Sequence, residues 1–243
     1  MTHSLNGIKV ATGTRQRVER ACLDLLGRGG LVFTVNALMA ERARRDAAFL
    51  DVLSRADVCT ADGFGVAAAL ALRGIECEPT PGVELGETVA TQGPVSLALI
   101  GGRAGVGERA FAYLKKKNTG LTSSFILPGY GISEETYLSA IDTHKPELCF
   151  VCLGSPRQER LAALGRDRSP RTLFLALGGS LDVYSGDKPR APLHMRRLGL
   201  EWLWRMAEEP SRISALPSLV SYALHVRVDT GEKSTKNSPS KPR

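Results

Sequence analysis

Gly154-Ser155-Pro156-Arg157-Gln158-Glu159, Gly178-Gly179-Ser180-Leu181-Asp182, Gly186-Asp187-Lys188-Pro189-Arg190-Ala191-Pro192 and Gly199-Leu200-Glu201-Trp202-Leu203-Trp204-Arg205 decide the reading of this 243-residue chain. The first two segments follow apolar runs, 147–153 and 172–177, that read as buried strands. Open α/β sheets bind ligands at the carboxyl ends of such strands, so these turns deliver polar residues where a site belongs.

Outward from that stretch the same alternation recurs. Candidate strands lie at 31–35, 56–60, 95–100 and 122–127, and a weaker strand at 7–12 precedes a helix at 14–27. Helical patterns occupy 37–53, 66–72, 108–117 and 192–207, the last stopped by Pro210. Short strands separated by single helices predict an α/β fold with a doubly wound, mostly parallel, Rossmann-like sheet. Apolar residues at 213, 216, 219, 220, 223, 224 and 226 form a helical stripe interrupted early by Pro217. It suits either a C-terminal helical appendage that covers the site or an ordinary helix packed on the core. The expected organisation is a catalytic domain over 1–209, the appendage over 210–228 and a disordered basic tail over 229–243.

Composition excludes several classes. A hydrophobic content of 43% suffices for a substantial core, and no run approaches the 18 or so apolar residues of a spanning helix. The N-terminus lacks a basic segment followed by an apolar core, which points to the cytoplasm. Five scattered cysteines fit a reducing compartment. Cys149 and Cys152 form Cys-x-x-Cys within a strand-like run, where alternation sends them to opposite faces. The four histidines show no ligand-like spacing, so no metal site and no cofactor are expected. The net charge of +7 includes +3 from 226–243, where no aromatic residues interleave. A solvated tail or an anionic lipid surface therefore suits the charge better than nucleic acid does.

The turn Gly101-Gly102-Arg103-Ala104-Gly105-Val106-Gly107 follows a strand and opens a helix. It satisfies a relaxed dinucleotide pattern, yet no acid lies between Glu108 and Glu134 to meet a ribose. A Rossmann oxidoreductase is disfavoured accordingly. Glu108 stands where a phosphate loop needs lysine, so either an anion on the helix start or a tight turn explains these glycines. Gly178-Gly-Ser180-Leu-Asp182 misses the nucleophile-elbow pattern. Asp62 ends a strand in Ala61-Asp62-Gly63-Phe64-Gly65 and is either a carboxylate facing the cleft or the cap of the next helix. Thr34-Val35-Asn36 likewise ends a strand on a potential cap.

Taken together, Thr34-x-Asn36, Ala61-Asp62-Gly63-x-Gly65, Gly101-Gly102, Gly129-Tyr130, Gly154-x-Pro156-x-Gln158-Glu159, Gly178-Gly179-x-x-Asp182, Gly186 with Arg190-Ala-Pro192, and Gly199-Leu-Glu-Trp202 with Arg205 resemble the bacterial WecG/TagA/CpsF glycosyltransferases over most of the chain. The resemblance implies inverting transfer of a sugar, N-acetylmannosamine or a related hexose, from a UDP-sugar to an undecaprenyl-diphosphate-linked sugar. It places the protein peripherally on the inner face of the cytoplasmic membrane, making cell-surface polysaccharide or teichoic acid.

It also implies roles. Asp62 is the general base, Thr34 and Asn36 hold the acceptor or the transferred sugar, and Gln158 contacts the donor. Tyr130 packs on the uridine, Asp182 binds its polar edge, and Gly101, Gly102, Gly178 and Gly179 shape the donor site. Arg190 neutralises the departing diphosphate; read alone, it is equally a surface ion pair. No Asp-x-Asp occurs, which fits metal-independent transfer. The sequence departs from the family at Pro79-Thr80 and at Ala215-Leu216, where relatives carry arginine or aromatic residues. A non-catalytic nucleotide-sugar-binding relative is thus the alternative reading. Oligomeric state stays open, a homo-oligomer included.

Overall fold

The computed structural model describes residues 1–197, 200–208 and 210–234, and in it the alternating pattern becomes one sheet of eight strands with helices on both faces. The first half of the chain contributes β1 (Thr2–Leu5), β2 (Ile8–Ala11), α1 (Arg15–Leu23), β3 (Gly30–Val35), α2 (Ala37–Arg45), α3 (Ala47–Ser54), β4 (Val58–Ala61), α4 (Phe64–Ala71) and α5 (Gly82–Ala90). The second contributes β5 (Val95–Gly101), α6 (Val106–Lys117), β6 (Leu121–Leu127), α7 (Glu134–His144), β7 (Leu148–Cys152), α8 (Arg157–Arg168), β8 (Leu173–Ala176) and α9 (Ser180–Tyr184). Then follow α10 (Leu193–Arg197), α11 (Glu201–Glu208), a 3-10 turn (Pro210–Ala215) and α12 (Leu216–Ser234).

The strand order is β1-β2-β4-β3-β8-β7-β5-β6, parallel throughout except for β1, which pairs antiparallel with β2 at one edge. The expected doubly wound α/β class is therefore the observed one. β1 was not legible because Thr2-His3-Ser4-Leu5 is polar and only Leu5 is buried.

Every residue of β3, β7 and β8 is buried, as central parallel strands covered on both faces must be. Side-chain alternation sorts them into two layers. Leu31, Phe33, Val35, Cys149, Val151, Phe174 and Ala176 join α2, α3, α4, α7 and α8 on one face. Val32, Leu148, Phe150, Cys152, Leu173 and Leu175 join α1, α5, α6 and α9 on the other. Cys149 and Cys152 thus point to opposite faces, as expected. Phe33, Phe150 and Phe174 are among the largest fully buried side chains, and truncating any of them to Ala costs about 3–5 kcal/mol.

Local chemistry explains where the boundaries differ from expectation. The single helix expected over 37–53 breaks at Asp46, whose extended backbone ends α2 and whose side chain caps α3 by accepting from Phe49 N. The helix expected over 192–207 is divided into α10 and α11; Leu198 and Gly199 lie outside the described residues, as do the side chains of Trp202 and Arg205. Pro217 interrupts nothing, because it occupies the first turn of α12, where its missing N–H has no helical partner to lose. α12 continues to Ser234, past residue 228 where the sequence suggests the appendage ends, and 235–243 lie outside the described residues.

Two features of this topology position the site. The chain leaves β5 through α6 on one face and β7 through α8 on the other, so a crevice opens between these neighbouring strands at their carboxyl ends. The connection after α4 crosses the sheet edge: Gly13 and Cys77 form a bridge, and Thr80 N donates to Ala61 O at 2.8 Å. That crossing delivers the N-terminus of α5 to the ends of β3 and β4.

Candidate active site

β3 and β4 run in register, with Val35 opposite Ala61, so the next residues, Asn36 and Asp62, stand side by side at the carboxyl ends of the strands. Asp62 N donates to Val35 O at 2.8 Å, which extends the pairing by one residue. Gly63 then turns the chain with φ 82° and ψ −178°, a conformation essentially confined to glycine. The cap of α4 is Gly63 and receives no side-chain hydrogen bond. Gly63 rather than Asp62 thus holds the cap position of α4, and Asp62 Oδ1 accepts from Gly82 N at 3.4 Å, at the start of α5.

Asn36 behaves differently. Its Oδ1 accepts from Met39 N at 3.0 Å and caps α2, which leaves the NH2 end and one Oδ1 lone pair for a substrate. Thr34 is buried, and its hydroxyl donates to Ala176 O at 2.9 Å, linking β3 to β8. A Cβ on Gly82 would stand 3.2 Å from Thr34 Oγ1 and 3.5 Å from Leu177 O. Thr34, Asp62, the first turn of α5 and the turn after β8 are thus packed into one corner.

Gln158 is only 3% exposed. Its Oε1 accepts from Gly154 N at 3.2 Å and from Gly178 N at 3.1 Å, and its Nε2 donates to Glu159 Oε1 at 2.7 Å. The resemblance implies a direct donor contact for this residue; in the structure these bonds tie the Oε1 end of the amide to the turns after β7 and β8 and the Nε2 end to Glu159. Glu159 is fully buried, and burial, partly countered by Gln158, its own backbone amide, Ser155 and Arg42, pushes its carboxyl above the ordinary value.

Gly101 and Gly102 end β5 beside the crevice. A Cβ on Gly101 would lie 2.2 Å from Cys152 O, so close approach to β7 alone demands glycine here. Gly129 N donates to Gly102 O at 2.8 Å, and Arg157 Nη1 donates to Gly129 O at 3.0 Å. The adjacent Tyr130 is 73% exposed at the rim. From β4 to β6 the rim spans five strand spacings, roughly 24 Å at about 4.8 Å each. Tyr130 and Asp62 can therefore meet only opposite ends of a ligand laid along it.

Asp182 Oδ2 pairs with Lys188 Nζ at 3.5 Å, and the backbone N of Lys188 donates to Asp182 O at 3.0 Å. With Gly179, Arg190, Glu201 and Trp204 they line a small cavity of about 60 Å3. Arg190 is the ion pair that its simpler reading anticipates. Its Nη1 meets Glu84 Oε1 at 2.9 Å and its Nη2 meets Glu201 Oε2 at 3.3 Å, while its side chain is 18% exposed. Burial opposes its charge, but Glu201 and Glu84 together hold the guanidinium above its ordinary value. Its Nε and the indole N of Trp204 are buried without partners. Glu84 also receives Arg15 and Arg196. Those two arginines, with Arg190, Tyr113 and Lys117, line a second cavity of about 450 Å3.

Sequence reasoning missed Arg15 and gave Gly82, Glu84 and Glu159 no role at this rim. Arg15 donates to Pro79 O and Glu84 from 64 and 69 residues away, a separation that no motif spacing encodes. It also left undecided what the last helix does. Tyr222 and Val226 of α12 are buried against the α2 and α4 layer. Tyr222 Oη donates to Gly65 O at 3.2 Å, and Ser221 Oγ donates to Glu41 Oε1 at 2.8 Å. Ile213, Leu216, Val220 and Leu224 face outward and are exposed.

The sequence model of the glycosyl transferase WecG/TagA/CpsF family matches residues 3–233. The chain is 29% identical over 192 residues to the N-acetylglucosaminyldiphosphoundecaprenol N-acetyl-beta-D-mannosaminyltransferase of Staphylococcus aureus (strain MRSA252), covering 77% of this chain and 76% of that protein. It is 30% identical over 211 residues to the protein of the same description from Bacillus subtilis (strain 168), covering 85% and 82% respectively.

Proposed function

The chain belongs to the glycosyl transferase WecG/TagA/CpsF family, and from that premise we propose that this glycosyltransferase moves a sugar from a UDP-sugar to a lipid-diphosphate-linked acceptor, with inversion and without a metal ion. The relatives' description motivates N-acetylmannosamine or a related hexose as the sugar and an undecaprenyl-diphosphate-linked N-acetylglucosamine as the acceptor. The product then enters a cell-envelope polymer.

The observation that carries this reading is the placement of Asp62 just before the α4 cap, beside Thr34, Asn36 and the start of α5. A carboxylate so held suits general-base work. The acceptor oxygen attacks the anomeric carbon, its proton passes to Asp62, and the bond from that carbon to the diphosphate oxygen breaks with its electron pair leaving on UDP. Attack opposite the leaving group inverts the centre and needs one base. Thr34 shapes the corner, and the NH2 end of Asn36 positions a sugar hydroxyl. Gly101, Gly102, Gly178 and Gly179 let backbone approach the donor, and Tyr130 and Asp182 receive its uridine.

Charge on the departing diphosphate falls to Arg190, whose Nε is not used by either ion pair, together with backbone N–H groups of the glycine turns. The absence of any Asp-x-Asp supports a metal-free leaving group. No helix among the described residues is long and apolar enough to cross a membrane. The outward apolar residues of α12 and of the turn before it suit shallow contact with the inner face of the cytoplasmic membrane, where a lipid-linked acceptor resides.

The test is UDP release from a panel of UDP-sugars with a lipid-diphosphate-sugar acceptor in EDTA, comparing the wild type with Asp62→Asn. Acceptor-dependent release that survives chelation and collapses in the variant supports the proposal. Binding of UDP-sugar without turnover across the panel would replace it with the non-catalytic reading that the ion-paired Arg190 favours.

A further inference from the structure

We propose that Glu159 is a positioning residue, fixing which way the Gln158 amide points and, through it, the two glycine turns that border the crevice. The inference rests on the glycosyl-transfer reading for its kinetic consequence but not for its structural one. Gln158 Oε1 accepts from two backbone amides, Gly154 N and Gly178 N. A flipped amide would oppose its own N–H groups to those donors and leave both unsatisfied. The contact that reinforces this orientation from the other end is Glu159 Oε1, an acceptor 2.7 Å from Nε2. Glu159 is fully buried and its Oε2 has no hydrogen-bond partner; of the groups that favour its charge, Gln158 comes first, ahead of its own backbone amide, Ser155 and Arg42. What it does is hold one neighbour. Gln158 in turn ties the ends of adjacent strands β7 and β8, which carry Gly154 and Gly178-Gly179. The Glu159 carboxyl acts on both glycine turns through Gln158.

The experiment compares the full chain with Glu159→Met, which keeps the volume but removes the acceptor, and with Glu159→Gln, which keeps an acceptor oxygen. Two readouts are taken: donor KM and kcat with the UDP-sugar that turns over, and hydrogen exchange at the Gly154 and Gly178 amides. Glu159→Met is expected to raise donor KM roughly tenfold with little change in kcat, as two misplaced backbone donors would, and to speed exchange at both glycines. Glu159→Gln is expected to restore both. The proposal is overturned if Glu159→Met leaves exchange and KM at wild-type values, if its loss lies in kcat alone, or if Glu159→Gln is as impaired as Glu159→Met. If Glu159→Met does not fold, Glu159→Gln against Gln158→Leu carries the same readouts: near-normal exchange in the first and fast exchange at both glycines in the second is the supporting result, and equal behaviour overturns it. Absence of turnover in the wild type would count against glycosyl transfer, and the exchange readout would still decide the role of Glu159.

Discussion

Asp62 and Arg190 are held at the same rim by different means. Asp62 is placed by backbone: strand register sets it beside Asn36, Gly63 turns the chain away, and an amide of α5 meets its carboxylate. Arg190 is placed by side chains: Glu84 and Glu201 share it, and Glu84 is itself shared with Arg15 and Arg196. A corner set by strand register is fixed by the sheet, whereas an ion-paired corner can exchange one anion for another. On the proposed mechanism the difference suits a base that must not move and a cation that must accept a transient negative charge.

The largest expected effect breaks the first side of that comparison. Asp62→Asn keeps the Gly82 contact but removes the base, and should lower kcat about 1,000-fold, within the range of general-base contributions, with thermal stability unchanged. A variant that lost stability in proportion to rate would mean that Asp62 serves the α5 contact and not the chemistry. The second side is tested by Arg190→Ala, which should lower kcat/KM on the order of 100-fold, the cost of one positioned donor on a charged transition state. Glu84→Gln serves as its control. If Arg190 only stabilises the fold, the two variants should lose similar stability and keep their rate per folded molecule.

The same contrast explains what was legible. Asp62, Asn36 and the glycines of Gly101-Gly102 and Gly178-Gly179 declare themselves because each ends an apolar run, and register among parallel strands then lines them up. Thr34 was legible for the same reason. The Glu84 cluster was not, since Arg15, Glu84, Arg190 and Arg196 come from four separate elements and meet only through tertiary packing. Gln158 stood in a recognisable motif, yet its donors, Gly154 N and Gly178 N, could be identified only once β7 and β8 were known to be neighbours. The break at Asp46 was in principle readable, because an acid that caps one helix can end the one before it.

A smaller effect concerns the buried acid behind Gln158. The Glu159 carboxyl is held above its ordinary value of 4.5, chiefly by burial. The folded chain therefore keeps this proton to higher pH than the unfolded chain. The stability it contributes is full below about 4.5 and is lost as pH rises through the folded value. Glu159→Gln cannot ionise, so its melting temperature should gain on that of the wild type as pH rises from 4.5 and then level off. A gap that stays flat with pH would show that the carboxyl is not perturbed.

The smallest expected effect joins the two corners to the last helix. Tyr222 Oη donates to the carbonyl of Gly65, three residues beyond Asp62, while the Tyr222 ring is buried against the layer that contains α2 and α4. Tyr222→Phe keeps the ring and its packing and removes only the hydroxyl. The lost bond is worth about 1 kcal/mol, or a fall of roughly 2–4 °C in melting temperature for a chain of this size. If docking of α12 steadies the turn that carries the base, the variant should also lose a few-fold in kcat while donor KM stays at the wild-type value, since the donor glycines lie on other strands. A matching change in KM would instead place the influence of α12 on the donor side of the rim. An unchanged kcat with the expected fall in melting temperature would leave α12 as a packing element whose outward face alone concerns the membrane.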